Sequence, residues 1–260
     1  MYAGPSNHKS HQICSPNNPN QQIWRFQDFA KFVSLLKIRS LHFCRIDKFK
    51  DPFEGELPVT YVEKYRERLR KTGVHSEAAI KGMTDGIIRV HKLGKKWHYA
   101  NCWHINKVES EAMWKLYTTG NEGIAIQSTF KRLKHSLPEE EDDSRRVYIG
   151  KIKYIDYDQE DPEKQSSLAC SFQKRLNFDH ERELRAIIHH EKLGKNGGPI
   201  QDTPKETGLS VKVNLDKLIE KVYVSPMSQK WFHCVVKSVM KKYGLEKELC
   251  LSRLAEKPHF

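Results

Sequence analysis

The sequence lacks the features that mark secreted disulfide proteins, zinc modules and membrane proteins. Its six cysteines are far apart and form no Cys-x-x-Cys pair, which argues against a disulfide framework and against paired clusters of zinc ligands. No apolar stretch approaches the roughly 18 residues of a membrane-spanning helix, and the N-terminal residues contain no apolar core of a signal peptide. We therefore expect a cytoplasmic protein without a membrane span or a bound metal.

Acidic residues are too few to balance the basic ones. The 260 residues include 45 Lys and Arg against 33 Asp and Glu, which gives a formal net charge of +12. Such an excess attracts polyanions, so nucleic acid or a phosphorylated nucleotide is the expected partner. The basic residues are spread over the segments 64–71, 92–96, 145–153 and 237–247. A solvated basic surface without a partner is therefore the alternative.

Apolar residues recur at helical spacing in some segments and alternate in others. Helices are expected at 28–36, 61–93 with a break at Gly73, 110–117, 130–135, 168–176, 214–219 and 228–243. Strands are expected at 41–43, 99–104, 124–126, 147–157, 184–188, 209–213, 222–224 and 249–251. These elements follow no regular βαβ order, so the expected fold class is α+β, with a mixed or antiparallel sheet flanked by helices. We expect a single domain at 22–260, after a flexible N-terminal segment at 1–21 that is rich in Pro, Asn and Ser.

Four groups of motifs follow one another along the chain. They are Trp24-Arg25-Phe26, Phe49-Lys50-Asp51-Pro52-Phe53-Glu54, Met113-Trp114-Lys115-Leu116-Tyr117 with Gly123-Ile124-Ala125-Ile126, and His180-Glu181-Arg182-Glu183-Leu184-Arg185. In this order, and with the ending Val222-Tyr223-Val224-Ser225-Pro226, residues 22–254 resemble the bacterial family catalogued as domain of unknown function 2971. One position departs from that family, because its Trp before the Glu-x-Glu element is replaced here by the region of Phe178. The resemblance implies no activity, so each motif has to be judged by its chemistry.

The alternation of Glu181, Glu183 and Arg185 predicts that their side chains lie on one face of a strand and point toward a concave surface. Two carboxylates at this spacing raise each other's pKa unless a cation lies between them, and Arg185 is placed to do so. An edge strand with a solvated charged face is the alternative.

The Glu-x-Glu element also resembles that of ADP-ribosyltransferases, whose second acid stabilises an oxocarbenium-like ribosyl centre. The resemblance implies NAD as a substrate, with Glu183 at the transition state and Glu181 orienting the acceptor or a ribose hydroxyl. It further implies that Arg25 holds phosphate, and that Ser128 with Thr129 shapes the nicotinamide pocket. A helix N-cap is the alternative role for this Ser-Thr pair.

Trp114 and Tyr117 lie three residues apart, so they share a face of the expected helix and could form an aromatic wall against a nucleotide base. Packing in the core is the alternative. Cys102 and His104 point to the same side of a strand, but no second pair of ligands accompanies them. The segment 194–198 is rich in Gly and is expected to form a hairpin turn rather than a phosphate-binding loop.

Three acids lie close together in the loop that contains Asp51 and Glu54. Clustered carboxylates of this kind can hold Mg²⁺ in a nuclease. The Asp-Pro sequence favours a turn instead, with Asp51 bonded to backbone amides and Phe53 buried.

Two hypotheses follow from the sequence. The first is an enzyme that cleaves NAD and transfers ADP-ribose, and it requires Arg25, Ser128 and Glu183 to meet in one cleft. The second is a nucleic-acid-binding or nuclease-like module of a phage defence or toxin system, and it requires Lys and Arg to collect on one surface.

Overall fold

The chain folds into eight α-helices and eleven strands within the residues that the structure describes. The structure is a computed structural model that describes residues 15–138, 147–160, 166–190, 204–256 and 258. The helices are α1 (Phe29–Ile38), α2 (Val59–Lys71), α3 (Glu77–Gly94), α4 (Glu111–Tyr117), α5 (Phe130–Ser136), α6 (Ser167–Cys170), α7 (Leu215–Leu218) and α8 (Lys230–Lys242). The strands are β1 (Gln22–Asp28), β2 (Ser40–Arg45), β3 (His98–Ile105), β4 (Gly123–Thr129), β5 (Val147–Lys151), β6 (Lys153–Ile155), β7 (Gln173–Arg175), β8 (Glu183–His189), β9 (Gly208–Lys212), β10 (Lys221–Val224) and β11 (Glu248–Leu251). Short 3-10 helices span Ile46–Lys48, Leu176–Glu181 and Arg253–Ala255.

Nine of the described strands form one branched sheet. Its main path runs β11-β10-β4-β1-β3-β2-β9, while β8 pairs with both β3 and β5. The β10–β11 pair is parallel and the other pairs of this sheet are antiparallel. The strands β6 and β7 form a separate parallel pair. The expected α+β class, a mixed sheet flanked by helices, is confirmed.

Apolar helix faces cover the sheet and explain why these segments are helical. On α8, Phe232, Val236 and Met240 recur every four residues, and all three are buried in the main core. Leu184 and Tyr99 reach the same core from the centre of the sheet. Burying a side chain of this size contributes about 1.5–3 kcal/mol. The opposite face of the sheet carries two smaller apolar clusters, and the candidate site lies beside them.

Polar side chains begin several helices as the sequence predicts. Ser110 accepts a hydrogen bond from the amide of Met113 at the start of α4, and Asn214 accepts one from Lys217 at the start of α7. Between α2 and α3, Gly73 adopts φ of 88°, which a side chain disfavours. The expected break at Gly73 is confirmed.

Two expected elements differ in the structure. The helix expected at 168–176 is wrong beyond α6, because the chain turns into β7 and pairs with β6. The strand expected at 147–157 is divided at Ile152, whose amide donates to the carbonyl of Glu183. The turn expected at 194–198 lies outside the described residues. Among the helices that are described, none combines the length and apolar character needed to cross a membrane.

Candidate functional site

A cleft opens where β1 and β2 separate along the same edge of β3. Near the end of β3, Trp24 of β1 pairs with His104, and near its start, Cys44 of β2 pairs with Ala100. Between these pairs none of the described strands lies beside this edge of β3, and Asn101 donates to the main-chain carbonyl of His42 at 2.8 Å. Helix α1 connects the diverging strands and lines one side. The cleft has a volume of about 540 Å³.

Five charged side chains form a buried group on one side of the cleft, here called the carboxylate cluster (Glu54, Lys174, Glu181, Glu183 and Arg185). The Nζ of Lys174 lies 2.8 Å from Glu181 Oε2 and 3.5 Å from Glu183 Oε2. The Nε of Arg185 lies 2.6 Å from Glu183 Oε1, and its Nη1 lies 2.8 Å from Glu54 Oε2. When all five groups are ionised, three carboxylates and two cations leave one net negative charge. Glu181 and Glu183 line the cleft.

Three members of the carboxylate cluster, Lys174, Glu183 and Arg185, are kept charged by their neighbours. Burial alone would raise the pKa of Glu183, but Arg185, Lys174 and Cys102 together outweigh it and the pKa is lowered. Burial would likewise lower the pKa of Lys174, but the charges of Glu183 and Glu54 raise it. The same two carboxylates hold the pKa of Arg185 well above its usual value, against the effect of burial. Glu183 is therefore an ionised carboxylate inside the protein.

The expected strand carrying all three charged residues is correct only in part. Glu183 and Arg185 belong to β8 and share a face, whereas Glu181 ends the preceding 3-10 helix. Arg182 between the two acids has φ of 40°, a left-handed conformation that interrupts the alternation of a strand. Glu181 nevertheless reaches the cleft, and Leu184 points into the main core. Arg185 is fully buried beneath the cleft and holds the acids in place.

Arg25 reaches the cleft from the other face of the sheet. Trp24 shares a face with His104 and Glu183 through strand pairing, so the next residue, Arg25, points the opposite way. Its guanidinium lies 5.9 Å from the ring centroid of Trp103. The Nη1 of Arg25 is buried and has no hydrogen-bond partner within the described part of the chain. Burial lowers the pKa of Arg25.

Gln27, two residues further along β1, also has a buried nitrogen donor without a described partner. Its Nε2 is buried without a partner among the residues that the structure describes, and its side chain lines the cleft. A buried donor without an acceptor costs about 1–3 kcal/mol. The Arg25 side of the cleft therefore offers two buried donors to a ligand with acceptor atoms. An anionic ligand would also balance the positive charge of Arg25.

The two expected aromatic residues have different roles. The hydroxyl of Tyr117 lines the cleft and donates to Glu181 Oε2 at 3.0 Å, and burial raises the pKa of this phenol. Trp114 is buried outside the cleft lining, where its ring packs edge-on against Phe26 and its Nε1 donates to Glu109. Core packing is therefore the observed role of Trp114.

Ser128 and Thr129 do not line the cleft. The hydroxyl of Ser128 is buried and donates to the carbonyl of Leu218 at 2.5 Å. The hydroxyl of Thr129 accepts from the amide of Arg132, which makes Thr129 the N-cap of α5. Arg25 and Glu183 therefore line one cleft, as expected, but Ser128 does not. The alternative role, an N-cap, is confirmed for Thr129.

The aspartate loop is held by ion pairing rather than by burial of its aromatic residue. Asp51 accepts from the amide of Phe53 at 3.2 Å, as expected, and also pairs with Arg175 at 2.8 Å. The expectation that Phe53 is buried is wrong, because its ring is 40% exposed and lies 4.5 Å beneath the Arg175 guanidinium. No group of three metal-binding side chains occurs among the described residues.

Sequence analysis did not predict that Glu54, Lys174 and His104 belong to this cleft. Glu54 belongs to a recognised motif, but its link to Arg185 joins positions 131 residues apart and leaves no local signal. Lys174 lies in the segment expected to be helical. His104 was considered only as a metal ligand, yet it lines the cleft beside Glu183.

A second concave surface lies on the other side of the α1 C-terminus, here called the basic groove. Its volume is about 1760 Å³, and Arg39 lines it while the neighbouring Ile38 and Ser40 line the cleft. Its cationic side chains are Arg39, Lys107, Lys131, Arg132, Lys134, Lys212 and Lys217. Glu220 is the one carboxylate among the described lining residues, and amide side chains such as Asn18 and Gln22 complete the surface. None of these cations belongs to the four basic segments that stand out in the sequence, so the basic groove is formed by other Lys and Arg residues.

Comparisons with known proteins found no relative in sequence. No protein-family model matches the chain, so the resemblance to domain of unknown function 2971 is not confirmed. No curated protein matches it either. Two solved structures overlap with the fold, both of DarT from Thermus sp. 2.9. The complex with ADP-ribosylated ssDNA has 8% identity and a TM-score of 0.40, and it covers 94% of this chain and 99% of that chain. The complex with NAD+ has 6% identity and a TM-score of 0.39, with 94% and 100% covered.

Proposed function

We propose that this chain binds NAD in the cleft and transfers its ADP-ribosyl group to an acceptor. One observation carries the proposal: on one side of a single cleft lies an arginine whose buried Nη1 has no hydrogen-bond partner among the described residues, and on the other side lies the carboxylate cluster, with three acids for two cations. The Arg25 side and the carboxylate side lie on opposite faces of the sheet and are joined through the gap between β1 and β2. A ligand that fills the cleft therefore needs an anionic part and a part that is or becomes cationic.

NAD has both parts. Its pyrophosphate would accept hydrogen bonds from Arg25 and Gln27, each of which has a buried donor without a partner in the described ranges of the chain. Its nicotinamide ribose would lie beside Glu181 and Glu183. The volume of about 540 Å³ falls within the range of roughly 300–1,000 Å³ that is usual for sites of this kind.

The carboxylates supply the chemistry. As the bond between ribose and nicotinamide breaks, positive charge develops on the ribosyl carbon, and a fixed carboxylate stabilises it. Glu183 is ionised and is held by Arg185, so it does not have to reorganise during the reaction. Tyr117 and Lys174 fix Glu181, which would orient a ribose hydroxyl or the acceptor.

The substitution Glu183→Gln tests this role. It preserves the shape of the side chain and removes its charge, so nicotinamide release from NAD should fall on the order of a hundredfold. Release would be measured for both proteins, with circular dichroism to compare their folding. Glu109→Gln is the matched control, because Glu109 is equally buried and hydrogen-bonded to Trp114 and Ser252 but lies outside the cleft lining. Equal release by the parent and Glu183→Gln would exclude the proposed role.

Binding provides a separate test of the Arg25 side. Arg25→Met should weaken NAD binding, measured by calorimetry, while Arg89→Met on the exposed surface of α3 should leave it unchanged. If the parent protein does not bind NAD, the proposed function is wrong.

A second function is favoured by the basic groove, which would bind a nucleic acid strand through its phosphates. Lys107, Lys131 and Lys217 are exposed side chains of this groove. Neutralising all three by substitution with Ala should weaken binding of a labelled single-stranded oligonucleotide. It should also reduce the slope of log affinity against log salt by about two to three, because each lysine releases roughly one counterion.

A matched control separates the groove from the overall charge. Changing Lys71, Lys81 and Lys92 to Ala removes the same charge from the exposed surface of α2 and α3. Anisotropy of the labelled strand would be measured for both triple variants over a range of salt concentrations. An equal loss of affinity in the two variants would show nonspecific attraction and would exclude the groove as the binding surface.

A further inference from the structure

His104 is a buried imidazole of the cleft with one unused ring nitrogen. Its Nδ1 lies 2.6 Å from the main-chain carbonyl oxygen of Glu181. Because a carbonyl can only accept, Nδ1 carries the hydrogen, and the Nε2 of the neutral ring then has a free lone pair. This Nε2 is buried and has no partner in the described part of the chain. The side chain lines the cleft.

The position of His104 places this lone pair beside the acids. His104 pairs with Glu183 on β8 and with Trp24 on β1, so the three side chains share a face of the sheet. Directly paired residues have Cβ atoms about 4.5–5.5 Å apart. The ring of Phe26 packs against the imidazole at 6.3 Å between centroids. Strand pairing and ring packing therefore hold His104 next to the carboxylate that faces the ribosyl centre.

The surrounding charges favour the neutral ring. Burial lowers the pKa of His104, and its neighbours Arg182 and His180 act in the same direction. The carbonyl and carboxylate of Glu181 oppose them without reversing the shift. Glu183 faces the ring from β8, but its charge is engaged by Arg185. The imidazole is thus available as a proton acceptor at neutral pH.

Other groups of the cleft are poor proton acceptors. Glu183 has a lowered pKa and Glu181 already accepts from Tyr117 and Lys174. Burial raises the pKa of the Cys102 thiol well above its usual value, so this group is protonated. The pKa of His42 is also lowered, by partial burial and the charge of Arg25, but its side chain is exposed and its strand β2 does not pair with β8, which carries Glu183.

We infer that His104 is the catalytic base that takes the proton from the acceptor during ADP-ribosyl transfer. The inference rests on the proposed function of the cleft. The bond between the ribosyl carbon and nicotinamide breaks, and its electron pair leaves with neutral nicotinamide. An O–H or N–H acceptor forms the new bond to that carbon, and its proton passes to Nε2 of His104. The imidazolium is stabilised by the Glu181 carbonyl and later releases the proton to water.

The substitution His104→Gln tests the inference with NAD and with water as the acceptor. Loss of a general base should reduce nicotinamide release by about a hundredfold or more. Azide is already an anion and needs no base, so added azide should restore release in His104→Gln but not in Glu183→Gln. In the parent, release should fall as the pH drops through the lowered pKa of His104, because the protonated ring cannot accept a proton. This acidic limb should be absent from the variant.

His91→Gln is the matched control. The Nδ1 of His91 also lies near a main-chain carbonyl, that of Ile87 at 3.0 Å, and its buried Nε2 also lacks a described partner, but it lies outside the cleft lining. It should retain the release rate and pH profile of the parent. If His104→Gln matches the parent, or loses activity without rescue by azide, the role of His104 is excluded while the proposed function stands. If the parent releases no nicotinamide, the proposed function fails and this inference fails with it.

Discussion

The carboxylate cluster and the basic groove show two ways in which this protein places charge. In the cluster, the five side chains are nearly inaccessible to solvent and each contacts an opposite charge at 2.6–3.5 Å. In the groove, the cations lie around a wide open surface, and Lys107, Lys131 and Lys217 are exposed. Solvent screens the groove much more strongly than the cluster.

Because of this difference, we expect the charges of the cluster to affect mainly folding stability and those of the groove to affect mainly ligand binding. A buried charge that loses its partner is costly, so the members of the cluster depend on one another for folding. Exposed charges contribute little to stability and remain available to a polyanion. The cluster can therefore act on a bound ligand at short range, whereas the groove attracts a ligand over a longer distance in a manner sensitive to salt.

The largest expected effect on stability is that of Arg185→Met. It leaves Glu183 and Glu54 without their main partner inside the protein, so the free energy of unfolding should fall by roughly 3–5 kcal/mol. Urea denaturation would measure the change, with the exposed Arg89→Met as the control. A loss similar to that of the control would mean that the cluster is not coupled as described.

Lowering the pH should reduce the free energy of unfolding less than the substitution Arg185→Met does. The pKa of Glu183 is lowered in the folded state, so its stabilising contribution is complete above the ordinary value of 4.5 and is lost as the pH falls through the lowered value. The free energy of unfolding of Glu183→Gln should therefore depend less steeply on pH below 4.5 than that of the parent. Denaturation series at several acidic pH values would compare the slopes, and identical slopes would contradict the assigned shift.

An intermediate effect is expected at the N-cap of α5. Thr129→Ala leaves the amide of Arg132 without its side-chain acceptor, and should reduce the free energy of unfolding by about 1 kcal/mol. Thr129→Ser retains the hydroxyl and should recover most of the loss in the same urea measurement. Equal losses in both variants would point to packing of the Thr methyl group instead of capping.

The smallest effect is expected in the basic groove itself. Lys131 is exposed and no ion pair involves it among the described residues. Lys131→Ala should change the free energy of unfolding by no more than about 0.5 kcal/mol. If Lys131→Ala reduced the free energy of unfolding as much as Arg185→Met, the groove and the cluster would not differ in their contribution to stability.

Most elements of the fold were predictable because their patterns are local. The spacing of Phe232, Val236 and Met240 is enough to define α8, and Ser110 marks the start of α4. The expected helix at 168–176 failed because β7 depends on pairing with β6, a contact between positions about twenty residues apart. Glu183 and Arg25 were predicted from their motifs and both line the cleft, whereas Ser128 could not be placed from its position in sequence alone.

The sequence by itself determined the α+β class, the order of most helices and strands, the excess of positive charge and the alternation of Glu183 with Arg185. These properties depend on composition or on neighbours within a few residues. Only the tertiary structure decided that β1 and β2 separate along β3 and that Lys174 and Glu54 join the acids. It also decided that His104 lines the cleft with a ring nitrogen that bonds to none of the described residues. Such relations join segments far apart in the chain, and burial and strand pairing fix them only once the whole sheet has formed.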